Sequence, residues 1–404
     1  MHTIPMPGIV WLADTELHTA AEPWTVALLG LGPIVSAFVV VELLSLVVPG
    51  LSRLRHAGTR RAMIWLAIAL SVVLSAVQGL QVTSWLAQSL QFSGEPIAEV
   101  NVAVVLCSAT AATALLVALA RWIDRDGLGN GFAVLTVFVA LMEVLPYTLQ
   151  DILRLKDTAP DLIALLLPVL VVLALTIGST LLVDRWSAPG RLPLPSSGLL
   201  PMAGASSLAF VMMTQLDIAS PRLLACLAML LVVLPLASWL FNQPRRQAAL
   251  LVRADPALEP EDAVALAKRR LLIATLATAG WLGLLMVVWS VQLQQLDVAP
   301  MIEITSVVTA TMLALDLAEE WRFRAAAPDA PVVIWSEHRL YAVGIATQRL
   351  EAEGIPVLAR SRRLRALLQF FGPYVPVEFM VAPGDAARAA ACLEAVLAPS
   401  EGQL

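Results

Sequence analysis

The sequence predicts an all-α membrane protein with several crossings, followed by a small α+β domain at the C-terminal end. Three observations carry this prediction: the overall composition, a series of long apolar stretches, and a change of pattern near residue 325. The chain has 404 residues, of which 59% are hydrophobic and 14% charged, and its mean hydropathy is +0.80. Soluble domains of this size carry more charge, so the composition excludes an ordinary soluble globular protein.

Nine apolar stretches give the predicted crossings. About 20 apolar residues in a helix cover the roughly 30 Å hydrocarbon core of a bilayer, and each stretch is close to that length. They run over residues 25–49, 62–86, 99–122, 131–149, 161–184, 198–215, 222–241, 270–292 and 300–317. We therefore expect a polytopic bundle of about nine transmembrane helices.

The connecting segments alternate between basic and nearly neutral, which predicts an orientation. Arginine and lysine concentrate in every second segment, whereas the segments between them hold only Arg154, Lys156 and Arg222. Basic segments are retained on the cytoplasmic side of a membrane. The N-terminus is therefore expected outside and the C-terminal tail in the cytoplasm, and an odd number of crossings follows.

Neither catalysis nor metal binding is indicated by the residues that usually carry such chemistry. The three cysteines are scattered along the chain and the four histidines share no ligand spacing. No phosphate-binding loop and no nucleophile motif are recognisable. We expect no enzymatic activity, no catalytic residue, no cofactor and no metal site.

Five short motifs follow one another along the apolar part of the chain. They are Leu29-Gly-Leu-Gly-Pro33 with Glu42-Leu-Leu44, Gly127-Leu-Gly-Asn-Gly131, Gly198-Leu-Leu-Pro201 with Ala205-Ser-Ser207, Phe241-Asn-Gln-Pro244, and Thr305-Ser306 with Leu315-Asp316. Each alone is weak, because turns containing glycine and proline are common. In this order and on these sides of the membrane, they resemble the SecY family over residues 1 to about 324. That family provides the channel subunit of the preprotein translocase, so the resemblance implies an inverted-repeat helix bundle in a bacterial plasma membrane.

The beginning of the chain differs from the family. The segment His2-Thr-Ile-Pro-Met-Pro-Gly-Ile9 resembles the family's sequence just after its first helix. Family members have ten crossings with the N-terminus inside, so the resemblance implies that the first helix is missing. Two explanations stay open: a genuine truncation, or a start codon assigned too far downstream.

The resemblance implies an hourglass channel with a lateral gate and a waist of bulky aliphatic side chains. The aligned motifs place this pore ring at Leu31, Val35, Ala203 and Thr309. Ala203 and Thr309 are smaller or more polar than the family's isoleucines, so the ring would close less well by dewetting. Ordinary packing between helices is the alternative role of these residues.

Two acidic residues, Glu42 and Glu143, lie inside apolar stretches. An acidic residue at mid-membrane costs about 2.5–3.5 kcal/mol on insertion scales, so such residues usually face a wet cavity or a partner. Glu42 occupies a glutamine position of the family, which favours an inward-facing polar site. Solvation at the interface is the alternative for Glu143, and also for Glu303 and Asp316.

Basic residues in two predicted cytoplasmic loops, 184–195 and 243–270, are candidates for docking a partner. They are Arg185, Arg191, Arg245, Arg246, Lys268, Arg269 and Arg270. In the family these loops dock the ribosome or the SecA motor, but the family's glycine-rich loop segment is absent here. Charge that only sets topology is an equal alternative. The resemblance also implies SecE- and SecG-like small subunits, an unfolded polypeptide substrate and membrane lipid as partners; nucleic acid is not expected.

The tail has the pattern of a small α+β domain. Strands are predicted over 331–335, 355–359 and 377–382, and helices over 339–353 and 385–397. The order predicts one sheet with two helices on one face, and therefore two domains, 1–324 and 325–404. The stretches 350–356 and 381–388 resemble a prokaryotic signal-transducing domain with a ferredoxin-like, GlnB-like shape.

A basic cluster lies within this tail. It comprises Arg360, Arg362, Arg363 and Arg365. Two interpretations are open: a solvated loop, or a contact with anionic lipid, which is worth about 1 kcal/mol per charge near the surface.

Two functional hypotheses follow. The first is a SecY-like channel subunit that translocates or inserts unfolded polypeptides. The second is a non-conducting paralogue that acts as a membrane-anchored scaffold or sensor through its tail. The preserved motifs favour the first, whereas the altered docking loop, the weak ring and the missing first helix favour the second. A small-solute transporter is less favoured, because the resemblance spans every apolar segment.

Overall fold

The structure is a computed structural model of the chain. It describes residues 9–10, 32–48, 51, 60–93, 99–100, 102–127, 129–138, 162–187, 194–202, 205, 221–294, 304–326, 329–369 and 375–397. The chain divides into two compact units, residues 1–127 and 128–404.

The first unit is built from three apolar helices. They are α1 (Gly32–Val47), α2 (Arg60–Ser93) and α3 (Val102–Asp126), and a short antiparallel ladder pairs β1 (Ile9–Val10) with β2 (Glu99–Val100). Helix α2 packs against both α1 and α3. Buried alanines such as Ala37, Ala67 and Ala112 let the helices approach closely.

The second unit contains the remaining apolar helices. They are α4 (Leu162–Trp186), α5 (Pro221–Ala228), α6 (Leu234–Asn242), α8 (Pro260–Gln294) and α9 (Ile304–Ala326), and residues 131–138 are also helical. A π-helical turn, Met229–Val233, joins α5 to α6. Pro235, two residues after this turn, lacks a backbone N–H, so the wider turn lets the helix continue past the proline.

Five helices in the described part of the chain are long and apolar enough to cross a membrane. The candidate spans are Met63–Gln81, Leu106–Arg125, Leu167–Trp186, Leu224–Ala254 and Pro260–Gln292. They coincide with the second, third, fifth, seventh and eighth predicted stretches, so the membrane-protein class is confirmed but the number nine is not. Much of the fourth and sixth stretches lies outside the described residues. The ninth forms α9, whose second half is charged and leaves only a short apolar run.

The predicted loop over 243–270 is wrong in its secondary structure. Residues Pro244–Ala254 form helix α7, and α8 begins at Pro260, well before its apolar part. The two helices pack against each other as a hairpin. Its polar exposed face resembles a loop in composition, whereas buried residues such as Ala248, Leu251 and Ala263 give it an apolar side.

The Phe-Asn-Gln-Pro motif forms the corner between α6 and α7. Gln243 adopts a left-handed conformation with φ of 39°, and Pro244 opens α7. The buried Asn242 side chain donates from Nδ2 to the carbonyl oxygens of Ser238, at 2.7 Å, and Ser196, at 2.9 Å. The motif therefore ends one helix and turns the chain into the next.

The tail forms the predicted α+β layer. In chain order it contains β3 (Val332–Glu337), α10 (Leu340–Ala352), β4 (Leu358–Arg360), α11 (Arg362–Leu367), β5 (Val377–Val381) and α12 (Ala386–Leu397). The strand order is β3-β5-β4 with both pairings antiparallel, and Phe379 faces Trp335 on one side and Ala359 on the other. Strands β3 and β4 are thus parallel with β5 between them, which is a split βαβ unit.

The tail shares its hydrophobic core with the α7–α8 hairpin. Helices α10 and α12 both contact α7. One buried cluster contains residues from the hairpin, from the tail helices and from the sheet, including Ala248, Leu251, Ala263, Ala342, Ala346, Phe379 and Leu393. The predicted boundary at 324/325 stays a prediction for the domains, but apolar packing runs across it.

A buried ion pair joins β3 to α10 in the tail. The Glu337 carboxylate accepts hydrogen bonds from the backbone N–H groups of His338 and Arg339, both at 2.9 Å, and a bidentate contact from the Arg339 guanidinium. Burial alone would raise the pKa of Glu337, but the Arg339 charge and these hydrogen bonds lower the pKa to about 2. Arg339 also donates to the Leu397 carbonyl at the end of α12.

The shared core can be tested by a large-to-small change on the hairpin. Leu251→Ala should destabilise α10 as well as α7, by about 2–5 kcal/mol, because both helices line one cluster. Hydrogen–deuterium exchange of the peptide 340–352 measures this effect in detergent. Leu236→Ala is the matched control, since Leu236 is exposed on α6. Faster exchange in α7 with unchanged exchange in the peptide 340–352 would contradict a shared core.

Acid should weaken the tail through Glu337. The carboxyl has an ordinary pKa of 4.5 and a folded pKa of about 2, so its contribution is complete above pH 4.5 and is lost as the pH falls towards 2. The expected loss is about 3 kcal/mol of unfolding free energy. Denaturation between pH 5.5 and 2.5 should show a shallower pH slope for Glu337→Gln than for the unmodified protein. Glu353→Gln, at an exposed ion pair, should keep the original slope.

Candidate functional site

The tail meets the end of α4 and the middle of α9 in an arginine–carboxylate cluster that is largely buried, with Glu319 at its exposed edge. Its members are Asp184 at the end of α4, Asp316, Glu319 and Glu320 on α9, and Arg360 and Arg363 from the tail. All six lie in the second unit. The cluster forms where β4 ends and α11 begins, because the chain there supplies arginines at positions 360 and 363.

Arg363 links α4 to α9. Its Nε donates to Asp184 at 2.7 Å, and its Nη1 contacts Asp316 at 3.2 Å and also Glu319. Burial alone would lower the pKa of Arg363, but the hydrogen bond to Asp184 and the charges of Glu319 and Asp316 raise it above its ordinary value. One guanidinium therefore joins the end of α4 to the middle of α9.

Asp316 caps helix α11 from outside. Its carboxylate accepts the backbone N–H of Leu364 at 3.0 Å and that of Arg363 at 3.3 Å. Ser361, which precedes α11, makes no side-chain capping bond. The first N–H groups of a helix need an acceptor and favour a negative charge, so α9 provides the cap that the local sequence lacks. Interfacial solvation, one interpretation of Asp316, is therefore wrong.

Arg360 and Glu320 hold the glycine turn that begins the second unit. Glu320 is 1% exposed and Arg360 is 8% exposed, and their side chains pair at 3.1 Å. Glu320 accepts the N–H of Gly129 at 2.9 Å, and Arg360 donates to the Gly129 carbonyl. Gly129 has φ of +74°, and a Cβ there would lie 2.9 Å from Leu317 Cδ2. The position therefore requires glycine.

A second glycine turn also contacts the tail. Gly198 has φ of +63°, and a Cβ there would lie 2.5 Å from the Leu367 carbonyl oxygen. That oxygen accepts the N–H of Leu199 at 2.9 Å, and Gln369 donates from Nε2 to the Pro195 carbonyl at 2.7 Å. The end of α11 thus packs directly against the backbone of the Gly-Leu-Leu-Pro motif.

Three of the four arginines in the basic cluster of the tail are neither in a solvated loop nor free for lipid. Arg365 is 2% exposed and donates to the carbonyl oxygens of His338, Leu368 and Gln369. Arg362 is half-buried and reaches the Ser187 carbonyl at 3.5 Å. Both interpretations are therefore wrong for Arg360, Arg363 and Arg365, whose charges are used inside the protein.

The cluster is suited to binding between elements of the chain. Its groups are carboxylates and guanidinium ions, which form charge-assisted hydrogen bonds. In the described ranges, no three His, Cys, Asp or Glu side chains are placed to hold a metal ion.

The predicted pore ring stays a prediction. Leu31 and Ala203 lie outside the described residues, and Val35 lies on α1 with its side chain outside the description. Thr309 is buried on α9, where its hydroxyl donates to the Thr305 carbonyl at 2.6 Å. The bond within its own helix is compatible with either a packing or a ring position.

The intramembrane acidic residues are described only in part. Glu42 is fully buried on α1, and the Ser45 hydroxyl donates to its carbonyl at 2.7 Å and to its carboxylate at 3.3 Å. Glu143 and Glu303 lie outside the described residues.

Most of the predicted docking residues are exposed. Arg185 lies near the end of α4, Arg245 and Arg246 in the first turn of α7, and Lys268 and Arg269 on the polar part of α8. Arg270 is half-buried. Arg191 lies outside the described residues. Arg245, Arg246, Lys268 and Arg269 are therefore exposed on a hairpin whose other side packs against the tail.

The sequence did not predict the arginine–carboxylate cluster. Asp184, Glu319 and Glu320 are each unremarkable at a helix end, and the arginine run resembles a solvated loop. One signal was available: in a chain with only 14% charged residues, three carboxylates at 316–320 and three arginines at 360–363 are two unusual concentrations of opposite charge.

The strength of the cluster can be measured at Arg363. Arg363→Ala should cost about 3–5 kcal/mol of unfolding free energy, because it leaves the buried Asp316 carboxylate without its cation. Arg349→Ala is the matched control: Arg349 pairs with Glu353 at an exposed site of the same tail and should cost at most about 1 kcal/mol. Chemical denaturation in one detergent compares them. An equal loss of unfolding free energy in the two variants would contradict the importance of burial.

Comparison with known families gives a match in the apolar part of the chain. Residues 25–186 match the SecY family model. No curated protein matches the chain. The matched residues include α1 to α4, the Gly129 turn and Asp184 of the cluster, whereas Arg360, Arg363 and the α9 carboxylates lie outside them. The match covers 162 of the 404 residues and shows that this part of the chain is similar to the SecY family, a family of protein-translocation channels.

Proposed function

We propose that the chain is a SecY-like channel subunit that translocates unfolded polypeptides across a membrane or inserts them into it. The observation that carries this proposal is the SecY match over residues 25–186. The five candidate spans agree with it, since they make the chain a multi-pass membrane protein. The ring at Leu31, Val35, Ala203 and Thr309 would form the waist of the channel, and Glu42 would line a polar interior.

The proposed location is the bacterial plasma membrane, with the N-terminus outside and the C-terminal tail in the cytoplasm. Exposed tryptophans support this orientation, because each of three lies next to an exposed arginine: Trp122 with Arg121, Trp186 with Arg185, and Trp321 with Arg322. Tryptophan favours the membrane interface, and arginine next to it favours the cytoplasmic side.

The proposed partners follow from the same family. They are SecE- and SecG-like small membrane subunits, the unfolded substrate, surrounding lipid, and SecA or a ribosome. The exposed basic residues of α7 and α8 are the proposed docking surface for SecA or the ribosome. Nucleic acid, cofactors and enzymatic activity are not part of the proposal.

A second candidate is a non-conducting scaffold or sensor, and one observation favours it. The tail is joined to α4 and α9 by buried ion pairs and to α7 and α8 by a common core. A tail fixed in this way presents its sheet and helices from the membrane as a stable platform. Its split βαβ unit agrees with the ferredoxin-like shape proposed for a signal-transducing domain.

Co-purification separates the two candidates. The channel subunit should recover SecE together with a stalled nascent chain from detergent-solubilised membranes. The scaffold should recover a soluble partner through its tail, without SecE and without a nascent chain.

Charge reversal sharpens this experiment. Arg245→Glu with Arg246→Glu should reduce recovery of the nascent chain at least several-fold if α7 docks the ribosome. Arg349→Glu is the control on an exposed helix of the tail and should change nothing. Recovery that is unaffected by the α7 variant would contradict the docking surface, and absence of both SecE and nascent chain would contradict the channel.

A further inference from the structure

The backbone of Gly129 is held on both sides by one ion pair. Its N–H donates to Glu320 on α9, and its carbonyl accepts from Arg360 at the end of β4. The same Glu320 and Arg360 side chains pair with each other at 3.1 Å. The N–H and C=O of this residue are therefore satisfied by two side chains from two other elements, and the turn depends on both being in place.

Arg360 also contacts the sheet of the tail. Its Nη1 pairs with Glu378 on β5 at 3.1 Å, across the β4–β5 pairing that sets Arg360 opposite Glu378. One rigid guanidinium thus contacts the sheet, α9 and the glycine turn. A displacement of β4 relative to β5 should strain these contacts, because the planar fork meets all three partners in one geometry.

The Gly129 turn lies at the start of the second compact unit. The chain leaves the first compact unit at Gly127, two residues before Gly129. Any change in the backbone at Gly129 acts on the start of the second unit, where residues 131–138 begin a helix.

We propose that Arg360 and Glu320 couple the tail to the Gly129 turn, so that a shift of β4 in the tail sheet changes the backbone of this turn at the start of the second unit. The device is a three-way contact of tail, α9 and turn, buried from water, where an unpaired charge is costly. It goes beyond the proposed function, because the coupling is the same whether or not the chain conducts polypeptide.

Hydrogen–deuterium exchange of the full chain tests the first direction of the coupling. Arg360→Lys keeps the charge but loses the fork that reaches three partners at once. We expect exchange in the peptide 129–134 to rise about tenfold, with peptides 332–337 and 340–352 unchanged. Arg349→Lys, at an exposed ion pair of the same tail, should leave all of these peptides unchanged.

Two results would overturn the coupling. One is unchanged exchange at 129–134 in Arg360→Lys. The other is an equal rise throughout the tail, which would make Arg360 a general support of the tail fold with no specific action on the turn. Neither result depends on SecE or on a nascent chain, so failure here is distinct from failure of the proposed function.

Coupling between two sites is reciprocal in free energy, which provides the second direction of the test. Gly129→Ala strains a residue at φ of +74° and meets Leu317, so it should raise exchange in β4 at least several-fold. Gly354→Ala is the matched control, because Gly354 has φ of +71° with open space around it. It should affect only the end of α10. An unchanged β4 in Gly129→Ala would contradict the coupling.

Discussion

Neutralisation of buried charge is the constraint on which the second unit depends. Arg360 and Arg363 are withdrawn from water by the packing of the tail, and each must meet a carboxylate because an unpaired ion in a low-dielectric site costs several kcal/mol. Glu320 and Asp316 are placed on α9 to meet them. Such pairs add little net stability over apolar packing, but they specify which surfaces come together. Here they select one docking position for the tail.

The apolar core and the ion pairs act on different sides of the tail. The core joins α10 and α12 to the α7–α8 hairpin, and the charged contacts join β4 and α11 to α4 and α9. The corner at Asn242 and Gln243 makes the shared apolar core possible, because it turns the chain from α6 into the surface helix α7. With both sides engaged, the tail is an integral layer of the unit.

This arrangement changes how the two functional candidates are weighed. A tail built into the helix ends can serve a channel by fixing α4 against α9, and it can serve a scaffold by holding a platform at the membrane surface. The exposed basic face of α7 and α8 is available in either case. The glycine turns at Gly129 and Gly198 are contacted by the tail, so two family-like motifs have a structural role in holding the tail.

The sequence by itself determined the class of protein, the apolar stretches that form the five candidate spans, and the three strands and two longer helices of the tail, whereas α11 was not predicted. These features depend on local quantities: the length of an apolar stretch against the bilayer thickness, and the period of apolar residues within 5 to 15 positions. The tail strands and helices lie within a few residues of their predicted bounds for this reason. The helical hairpin at 244–260 was missed, because its polar exposed face gave it the composition of a loop.

Only the tertiary structure decided the partners of the charged residues. The separation between Asp184 and Arg363 is 179 residues, and no local pattern relates them. In the sequence, Arg360 resembles any surface arginine. Its partners appear only in the fold, where β5 pairs with β4 and Glu320 of α9 lies against the Arg360 side chain. Asp316 resembles an interfacial carboxylate until α11 presents its uncapped N–H groups. Pairing energies depend on burial and on distances across the fold, which are properties of the packed chain and not of its neighbouring residues.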